Sequence, residues 1–364
     1  MELNRVERML MALLRYSLCG EFDNRDMAFF TGVSRDEWDA CYLKAARHGV
    51  RAVAWDGVMM LPEELRGYDD LRIMWFLDVE QYEGTYRYFC QVASELTELY
   101  RQHGIGTVVL KGVGFSTYYP TPSHREGGDI DIYTYSLDRS VMTDARASDL
   151  ADELMVSQGI EVDSAHPKHS VFTYKDVMIE NHKNFIDVGT IRGLEVIEME
   201  LHKVLHPRTV KVDGRYELSV PSAEFNYLFI GMHAAMHYTC GLSLHHLYDW
   251  ACILRSEVDG KLKVVEDERL DGFVKALTYL SHEWLGSAVG SDCDRVLADE
   301  VLDSILHFPY DKEVMPRDTW GIIRFKLARN LYRWRHRRKV FSAPLYAIIY
   351  GMVRHLRRGL KLWR

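Results

Sequence analysis

Arg125-Glu-Gly-Gly-Asp-Ile-Asp131, preceded by Leu110-Lys-Gly-Val-Gly114, is the part of the sequence that decides the fold. Polar and apolar residues alternate from Asp129 to Thr134, which predicts a half-buried strand. Asp129 and Asp131 are two residues apart, so their carboxylates should project from the same face of that strand. Two glycines before them would let a phosphate approach the backbone closely. The pattern therefore indicates a site for a hard divalent cation beside a phosphate group.

The order of elements around this stretch is more specific than the acidic pair, because most acidic pairs with this spacing are solvated. A β-prone run at residues 107–110 precedes one or two helical turns, a loop and the strand. A helix at 144–157, ended by Gly159, follows the strand, and three further strands are predicted at 160–162, 170–174 and 177–180. A third carboxylate from a neighbouring strand would complete a paired-metal site, which aligns a nucleoside triphosphate with an attacking hydroxyl.

Helical spacing dominates on both sides of this segment. The first hundred residues show it after a Ser34 cap and again at 71–103, and the pattern returns after Pro221. We expect three regions: an N-terminal helical region at 1–103, an α+β core at 104–218, and a C-terminal helical region with a basic tail at 219–364. The aromatic residues of the long 71–103 pattern are interpreted as helix core, namely Trp75, Tyr82, Tyr86 and Phe89.

The pattern LKGxxxxxxYPxPxxRxxxDIDxxx, which begins at Leu110, resembles the bacterial uncharacterised nucleotidyltransferases of the DNA polymerase beta superfamily. The resemblance extends over most of residues 35–254. It implies an α+β fold: a polymerase-beta-like nucleotidyltransferase core, with a small mixed sheet and helices, flanked by N- and C-terminal helical regions. It also implies Mg²⁺ or Mn²⁺ as cofactor and an NTP as substrate, with ATP as the first expectation.

The resemblance implies roles for individual residues. Asp129 and Asp131 would be metal ligands and catalytic residues, and a glycine turn would contact the phosphates. The superfamily's usual Gly-Ser after the first strand is Lys111-Gly112 in this chain, which leaves a hydroxyl only at Ser116 or Thr117. Arg125 is expected to bind triphosphate charge through a bidentate contact. The expected nucleotide-binding residues are Lys111, Gly112, Gly114, Ser116, Arg125 and Gly128.

Two residues are candidates for the third catalytic and metal-binding carboxylate. Glu180 ends the short strand VMIEN, where a following strand should lie beside the acidic pair. Glu200, in EMELH, also precedes a histidine by two residues, but its surroundings show helical spacing. We favour Glu180 and keep Glu200 as the alternative.

Several histidines follow the predicted core. His233 and His237 are four residues apart on one helix face, as zinc ligands can be, but the HExxH pattern of zinc proteases is absent. A hydrogen-bonded place in the core is the simpler interpretation, and the resemblance makes a place along the active-site cleft plausible. The residues assigned to such a cleft are His169, His182, His233 and His237.

The composition indicates which broad class of protein the chain belongs to. The chain has 364 residues, of which 47% are hydrophobic and 27% charged, the balance of an ordinary globular protein. No segment approaches the ~20 apolar residues of a transmembrane helix, and six scattered cysteines show no metal-ligand spacing, so we expect a cytoplasmic location. Residues 324–364 contain thirteen Lys and Arg and no Asp or Glu, against a net charge of −8 for the whole chain.

The basic tail suggests an anionic partner: nucleic acid, a membrane surface or the acidic body of the protein itself. We favour packing on the body, because the apolar stretch at 343–353 needs burial. The leading hypothesis is a Mg²⁺-dependent enzyme that transfers NMP, AMP first of all, from an NTP to an acceptor hydroxyl or phosphate. The acceptor could be a small molecule, a saccharide, a protein or RNA. The alternative is a catalytically inactive module of the same fold that binds nucleotide, nucleic acid or membrane through the tail.

Overall fold

Two hydrophobic clusters organise the molecule. The computed structural model describes residues 1–188, 194–256, 268–310, 315–316 and 318–341. Helices from both ends of the chain share the larger cluster, and the main β-sheet with its covering helices forms the smaller one. None of the helices in these ranges is both long and apolar enough to cross a membrane.

The N-terminal region is helical, as the spacing predicts. Its helices are α1 (Arg5–Cys19), α2 (Met27–Phe30), α3 (Arg35–Arg47), α4 (Arg51–Met60) and α5 (Asp69–Arg101). Asn4 and Ser34 each form a capping box that begins α1 and α3. The long helix α5 joins the two clusters, because Trp75 in its first half packs in the larger cluster and Tyr100 at its end packs in the smaller.

The core contains a mixed five-stranded sheet. Its strands are β1 (Ile105–Val109), β2 (Asp129–Ser136), β3 (Val162–Asp163), β4 (His169–Tyr174) and β5 (Val177–His182), in the order β1-β2-β5-β4-β3. Only β2 and β5 pair in parallel, after a crossover that contains α6 (Asp144–Ser157). The predicted helix at 144–157 and the predicted strands at 170–174 and 177–180 are confirmed, whereas the strand predicted at 160–162 overlaps β3 only at Val162. The α+β prediction is therefore correct.

A β-hairpin that the sequence analysis did not predict follows α7 (Leu194–Val204). Its strands are β6 (Arg208–Val212) and β7 (Tyr216–Val220), and the turn uses positive φ angles at Asp213 and Gly214. Leu218 and Val220 join the sheet cluster, so the hairpin packs with the core. The expected region boundary at residue 218 falls inside β7.

The described part of the C-terminal region contains five further helices: α8 (Ala223–Tyr238), α9 (Leu244–Leu254), α10 (Glu268–Leu285), α11 (Arg295–Leu306) and α12 (Thr319–Val340). The basic helix α12 contacts the body through Tyr332, whose hydroxyl is 2.7 Å from Ser304 Oγ, and through Lys339, which pairs with Glu300 at 2.5 Å. The apolar stretch at 343–353, on which the packing hypothesis depends, lies outside the described residues.

Candidate active site

Strands β2 and β5 bring three acidic side chains together. In the parallel register, Asp131 lies opposite Glu180, and Asp129 is on the same face of β2. One carboxylate oxygen from each of the three residues lies within 4.8 Å of the others. We call Asp129, Asp131 and Glu180 the acidic cluster. The acidic pair of the sequence thus lies beside the favoured third carboxylate.

Asp131 is the most buried member of the acidic cluster, with 1% of its surface exposed. Its Oδ1 is 2.9 Å from Lys111 Nζ and accepts a hydrogen bond from His182 Nε2 at 2.8 Å. Burial alone would raise the pKa of this carboxyl. The charge of Lys111 and the hydrogen bond from His182 outweigh burial and hold the pKa of Asp131 well below its usual range. Asp131 is therefore ionised at neutral pH.

Glu180 has two histidine neighbours. Its Oε2 is 3.2 Å from His169 Nδ1 and 3.5 Å from His182 Nε2. These imidazoles, His169 first, outweigh the effect of burial and hold the pKa of Glu180 well below its usual range. The structure thus brings two of the four expected cleft histidines, His169 and His182, into contact with the acidic cluster.

The pKa values of Asp129 and Lys111 are both raised, but for different reasons. Burial and the neighbouring charge of Asp131 raise the pKa of Asp129. Burial would lower the pKa of Lys111, but the adjacent carboxylates, Asp131 above all, more than compensate and raise it. Lys111 therefore stays charged beside Asp131.

The acidic cluster suits a Mg²⁺ or Mn²⁺ ion. Hard divalent cations prefer carboxylate oxygens, and three such oxygens converge here. In addition, Asp131 Oδ2 is buried and has no hydrogen-bond partner among the described residues. An unpaired buried carboxylate oxygen is costly, so a ligand at this atom would remove that cost.

The glycine turn after β1 lies directly against this site. Gly112 has a φ of 55°, and a Cβ there would be 3.2 Å from the carbonyl oxygen of Asp129. A Cβ on Gly114 would be 2.3 Å from the carbonyl oxygen of Val109, so Gly114 is needed for packing against β1. Of the two predicted turn glycines, Gly112 is therefore the one that abuts the acidic strand.

Gly112→Ala should lower the free energy of unfolding by about 1–2 kcal/mol, because an L side chain is disfavoured in the left-handed region. The added methyl group would also press on the Asp129 carbonyl. Urea denaturation is the measurement, and Gly127→Ala is the matched control, since Gly127 is exposed, lacks a positive φ and has no atom within 4 Å of its added Cβ. Equal stability of the two variants would contradict the left-handed conformation of Gly112 and its close approach to the Asp129 carbonyl.

Ser116 and Arg125 do not present free groups to a phosphate in this structure. Ser116 is fully buried, and its hydroxyl donates to the Val113 carbonyl at 2.8 Å. Arg125 forms a bidentate ion pair with Asp249, at 3.0 Å from Nε and 2.8 Å from Nη2. The structure thus places Ser116 in the core, and Arg125 binds α9 to the loop before β2. The phosphate contacts expected of both residues stay predictions.

The alternative third carboxylate, Glu200, lies elsewhere. It is on helix α7, as the helical spacing predicts, and forms an ion pair with Lys203 at 2.6 Å. Gly128 is exposed in the loop immediately before Asp129, and no atom lies within 4 Å of an added Cβ. The structure therefore places Glu180 and Gly128 beside Asp129, and Glu200 on a solvent-facing helix surface.

The sequence analysis missed an aromatic pocket next to Asp129. It is lined by Tyr82, Thr85, Tyr86, Phe89, Gly112, Val113, Arg125, Glu126, Gly127 and Asp129. The aromatic residues come from α5 and were interpreted as core only, yet Tyr82 and Phe89 are partly exposed. Tyrosine, which carries a polar hydroxyl on an apolar ring, was the one signal that part of this stripe could face a ligand.

A partly buried lysine was also not predicted as part of the site. Lys168 lies in the loop before β4, and its carbonyl oxygen accepts a hydrogen bond from the Lys183 amide at 2.7 Å. Burial and the charge of Lys111 lower the pKa of Lys168. The other two expected cleft histidines, His233 and His237, lie together on α8, where their ring centroids are 4.4 Å apart.

Two carboxylates two residues apart on one strand, a third on the parallel neighbour and a glycine turn after the preceding strand define a nucleotidyltransferase-type site. A family model described as "Uncharacterised nucleotidyltransferase" matches residues 34–286, and the chain belongs to this family. The resemblance inferred from the sequence is therefore confirmed, and the matched region contains the whole acidic cluster. No curated protein matches the chain significantly.

Among solved structures, the chain is similar to an antigenic nucleotidyltransferase-like protein from Paracoccidioides brasiliensis. The two sequences are 14% identical. The superposition covers 55% of this chain and 93% of that chain, with a TM-score of 0.38.

Proposed function

We propose that this protein is a Mg²⁺-dependent nucleotidyltransferase that transfers the NMP group of an NTP, with ATP as the first candidate, to a hydroxyl or phosphate of an acceptor. The observation that carries the proposal is the acidic cluster, with Asp131 opposite Glu180 on parallel strands and a buried Asp131 oxygen that lacks a partner in the described chain. Membership of the family supports the class of reaction.

Asp129, Asp131 and Glu180 would hold the metal, and His169 and His182 would orient Glu180 and Asp131 through the contacts described above. Mg²⁺ in such a site neutralises triphosphate charge and aligns the reacting oxygens. Lys111 adds a permanent positive charge, and the Gly112 turn allows close approach of the phosphates.

The transfer itself forms a bond between the acceptor oxygen and the α-phosphorus and breaks the bond to the bridging oxygen, so that pyrophosphate leaves. The acceptor hydroxyl must lose a proton in the same process. One carboxylate of the acidic cluster, or a neighbouring histidine, would receive it.

Calorimetric titration with each NTP and Mg²⁺ tests the proposal most directly. Glu180→Gln should weaken Mg²⁺–NTP binding by more than about 10-fold, the lower limit for loss of an outer contact alone, because Glu180 would be a direct ligand. The matched control is Glu200→Gln, which changes the alternative carboxylate on α7. Equal nucleotide affinity in both variants and the unaltered protein would contradict the proposed site.

One observation favours the second candidate, a catalytically inactive nucleotide-binding module. Lys111 and His182 already surround Asp131 Oδ1, where a cation would otherwise bind. Basic residues of α12 lie beside an exposed apolar stripe formed by Trp320, Ile323, Leu327 and Leu331, which suits an anionic partner.

Incubation with labelled NTPs and a cell extract separates the candidates: label transferred to any acceptor, and lost with Asp129→Ala, excludes the inactive module.

A further inference from the structure

Three histidines from two helices meet outside the acidic cluster. His233 and His237 lie one turn apart on α8, and His246 is in the first turn of α9. The ring centroids are 4.4 Å apart for His233 and His237, 4.3 Å for His237 and His246, and 5.3 Å for His233 and His246. We call these three residues the histidine cluster. The histidine cluster thus contains residues from two helices that are separated by a loop in the sequence.

The spacing of the nitrogen atoms suits a tetrahedral metal. One ring nitrogen from each histidine lies within 4.8 Å of the other two. A Zn²⁺ ion with Zn–N distances of 2.0–2.1 Å holds its ligand nitrogens about 3.4 Å apart, so small side-chain rotations would complete the geometry. The i, i+4 spacing of His233 and His237 on one helix face is a recurrent arrangement for two zinc ligands.

The protonation state of the histidine cluster also suits a metal. Burial lowers the pKa of all three imidazoles, and it brings that of His237 to about 4. Neutral rings have a nitrogen lone pair available for coordination at neutral pH. The positive charge of Lys111 contributes to the lowered pKa of His233 and His237.

Outer contacts orient two of the three rings. The Ser243 backbone N–H donates to His246 Nδ1 at 3.2 Å, and Ser243 Oγ is 2.9 Å from the same nitrogen. Coordination through His246 Nε2 would put the ring proton on Nδ1, so the bond from the backbone N–H would be lost and Ser243 Oγ would accept the ring proton instead. The His237 ring is hydrogen-bonded to the backbone of Gly241. Such second contacts fix the orientation of metal-binding histidines in many proteins.

We propose that His233, His237 and His246 bind a Zn²⁺ ion and leave its fourth coordination position open. Imidazole nitrogens favour Zn²⁺, Co²⁺ or Ni²⁺ over Mg²⁺, so this site differs in metal from the acidic cluster. The open fourth position would receive a hydroxyl or phosphate of the acceptor. That role of the ion rests on the proposed function, whereas binding of the ion does not.

Titration with Co²⁺, a spectroscopic substitute for Zn²⁺, tests the proposal without an activity assay. We expect the unaltered protein to give the visible absorption of tetrahedral Co²⁺, to bind one such ion per chain, and to release it to Zn²⁺. His237→Ala should weaken Co²⁺ binding by more than about 10-fold, the lower limit for loss of an outer contact alone. His246→Gln, a milder change, should do the same if His237→Ala fails to fold.

His169→Ala is the matched control, because His169, Glu180 and His182 form another group that is able to bind a metal. Retention of the Co²⁺ spectrum in this variant, together with its loss in the histidine-cluster variants, supports the proposal. Loss of the spectrum with His169→Ala alone, or no tetrahedral spectrum in the unaltered protein, overturns it. Asp131→Asn separates the two proposals, since it should abolish nucleotidyl transfer and leave the Co²⁺ spectrum intact.

Discussion

Asp131→Asn is expected to lower kcat/KM for nucleotidyl transfer by about 10²–10³-fold or more, the effect of removing one preorganised electrostatic group from an active site. The side chain keeps its size but loses its charge, and with it the only fully buried carboxylate of the acidic cluster. Release of pyrophosphate from labelled NTP, measured in the presence of the acceptor extract, reports the loss. Unchanged transfer would show that the acidic cluster is not the active site.

The same substitution should also reduce stability, which must be separated from its effect on catalysis. Lys111, whose side chain is 14% exposed, would lose its partner, and breaking a buried ion pair costs about 3–5 kcal/mol. The double variant Lys111→Met with Asp131→Asn removes the uncompensated charge, so it should recover most of the stability. It should not recover transfer. Recovery of transfer together with stability would mean that Asp131 has a structural role alone.

Arg125→Ala is expected to lower the free energy of unfolding by about 3–5 kcal/mol. The variant would leave Asp249, whose side chain is 2% exposed, without its bidentate partner. Tyr119 would still donate its hydrogen bond to Asp249 Oδ1 at 2.6 Å, but the charge would remain buried. Chemical denaturation followed by circular dichroism measures the change.

Two further variants test whether the loss of stability comes from the broken ion pair between Arg125 and Asp249. Arg146→Ala removes an exposed arginine paired with Glu153 and should leave the unfolding transition nearly unchanged. Arg125→Met with Asp249→Asn retains an acceptor for Tyr119 and should recover much of the loss. If Arg125→Ala instead leaves stability intact and weakens NTP binding, Arg125 is the triphosphate ligand that the sequence pattern predicts.

Much of the core could be predicted because its signals are local. Alternating residues at 129–134 establish which side chains share a strand face, and the helix at 144–157 follows from spacing within its own turns. The contact between Glu180 and Asp131 could not be predicted from a local pattern, because it depends on a crossover that makes β5 the parallel neighbour of β2. The family pattern provided that step.

The hairpin formed by β6 and β7 was not predicted, although apolar and polar residues alternate in both strands and Asp213-Gly214 between them is typical of a tight hairpin turn. Because this local signal was overlooked, the expected boundary at residue 218 falls inside β7. The aromatic pocket was missed because spacing shows which residues share a helix face, whereas a pocket depends on what packs against that face.

The sequence by itself determined the fold class, the family and the acidic pair, since each of these is encoded in residues close together along the chain. Only the tertiary structure decided the partners of those residues. Arg125 meets Asp249 across 124 positions, and His182 meets Asp131 across 51. His246 joins His233 and His237 because α8 and α9 pack together. Burial then sets the charge states of these groups, and burial is a property of the assembled core rather than of any local pattern.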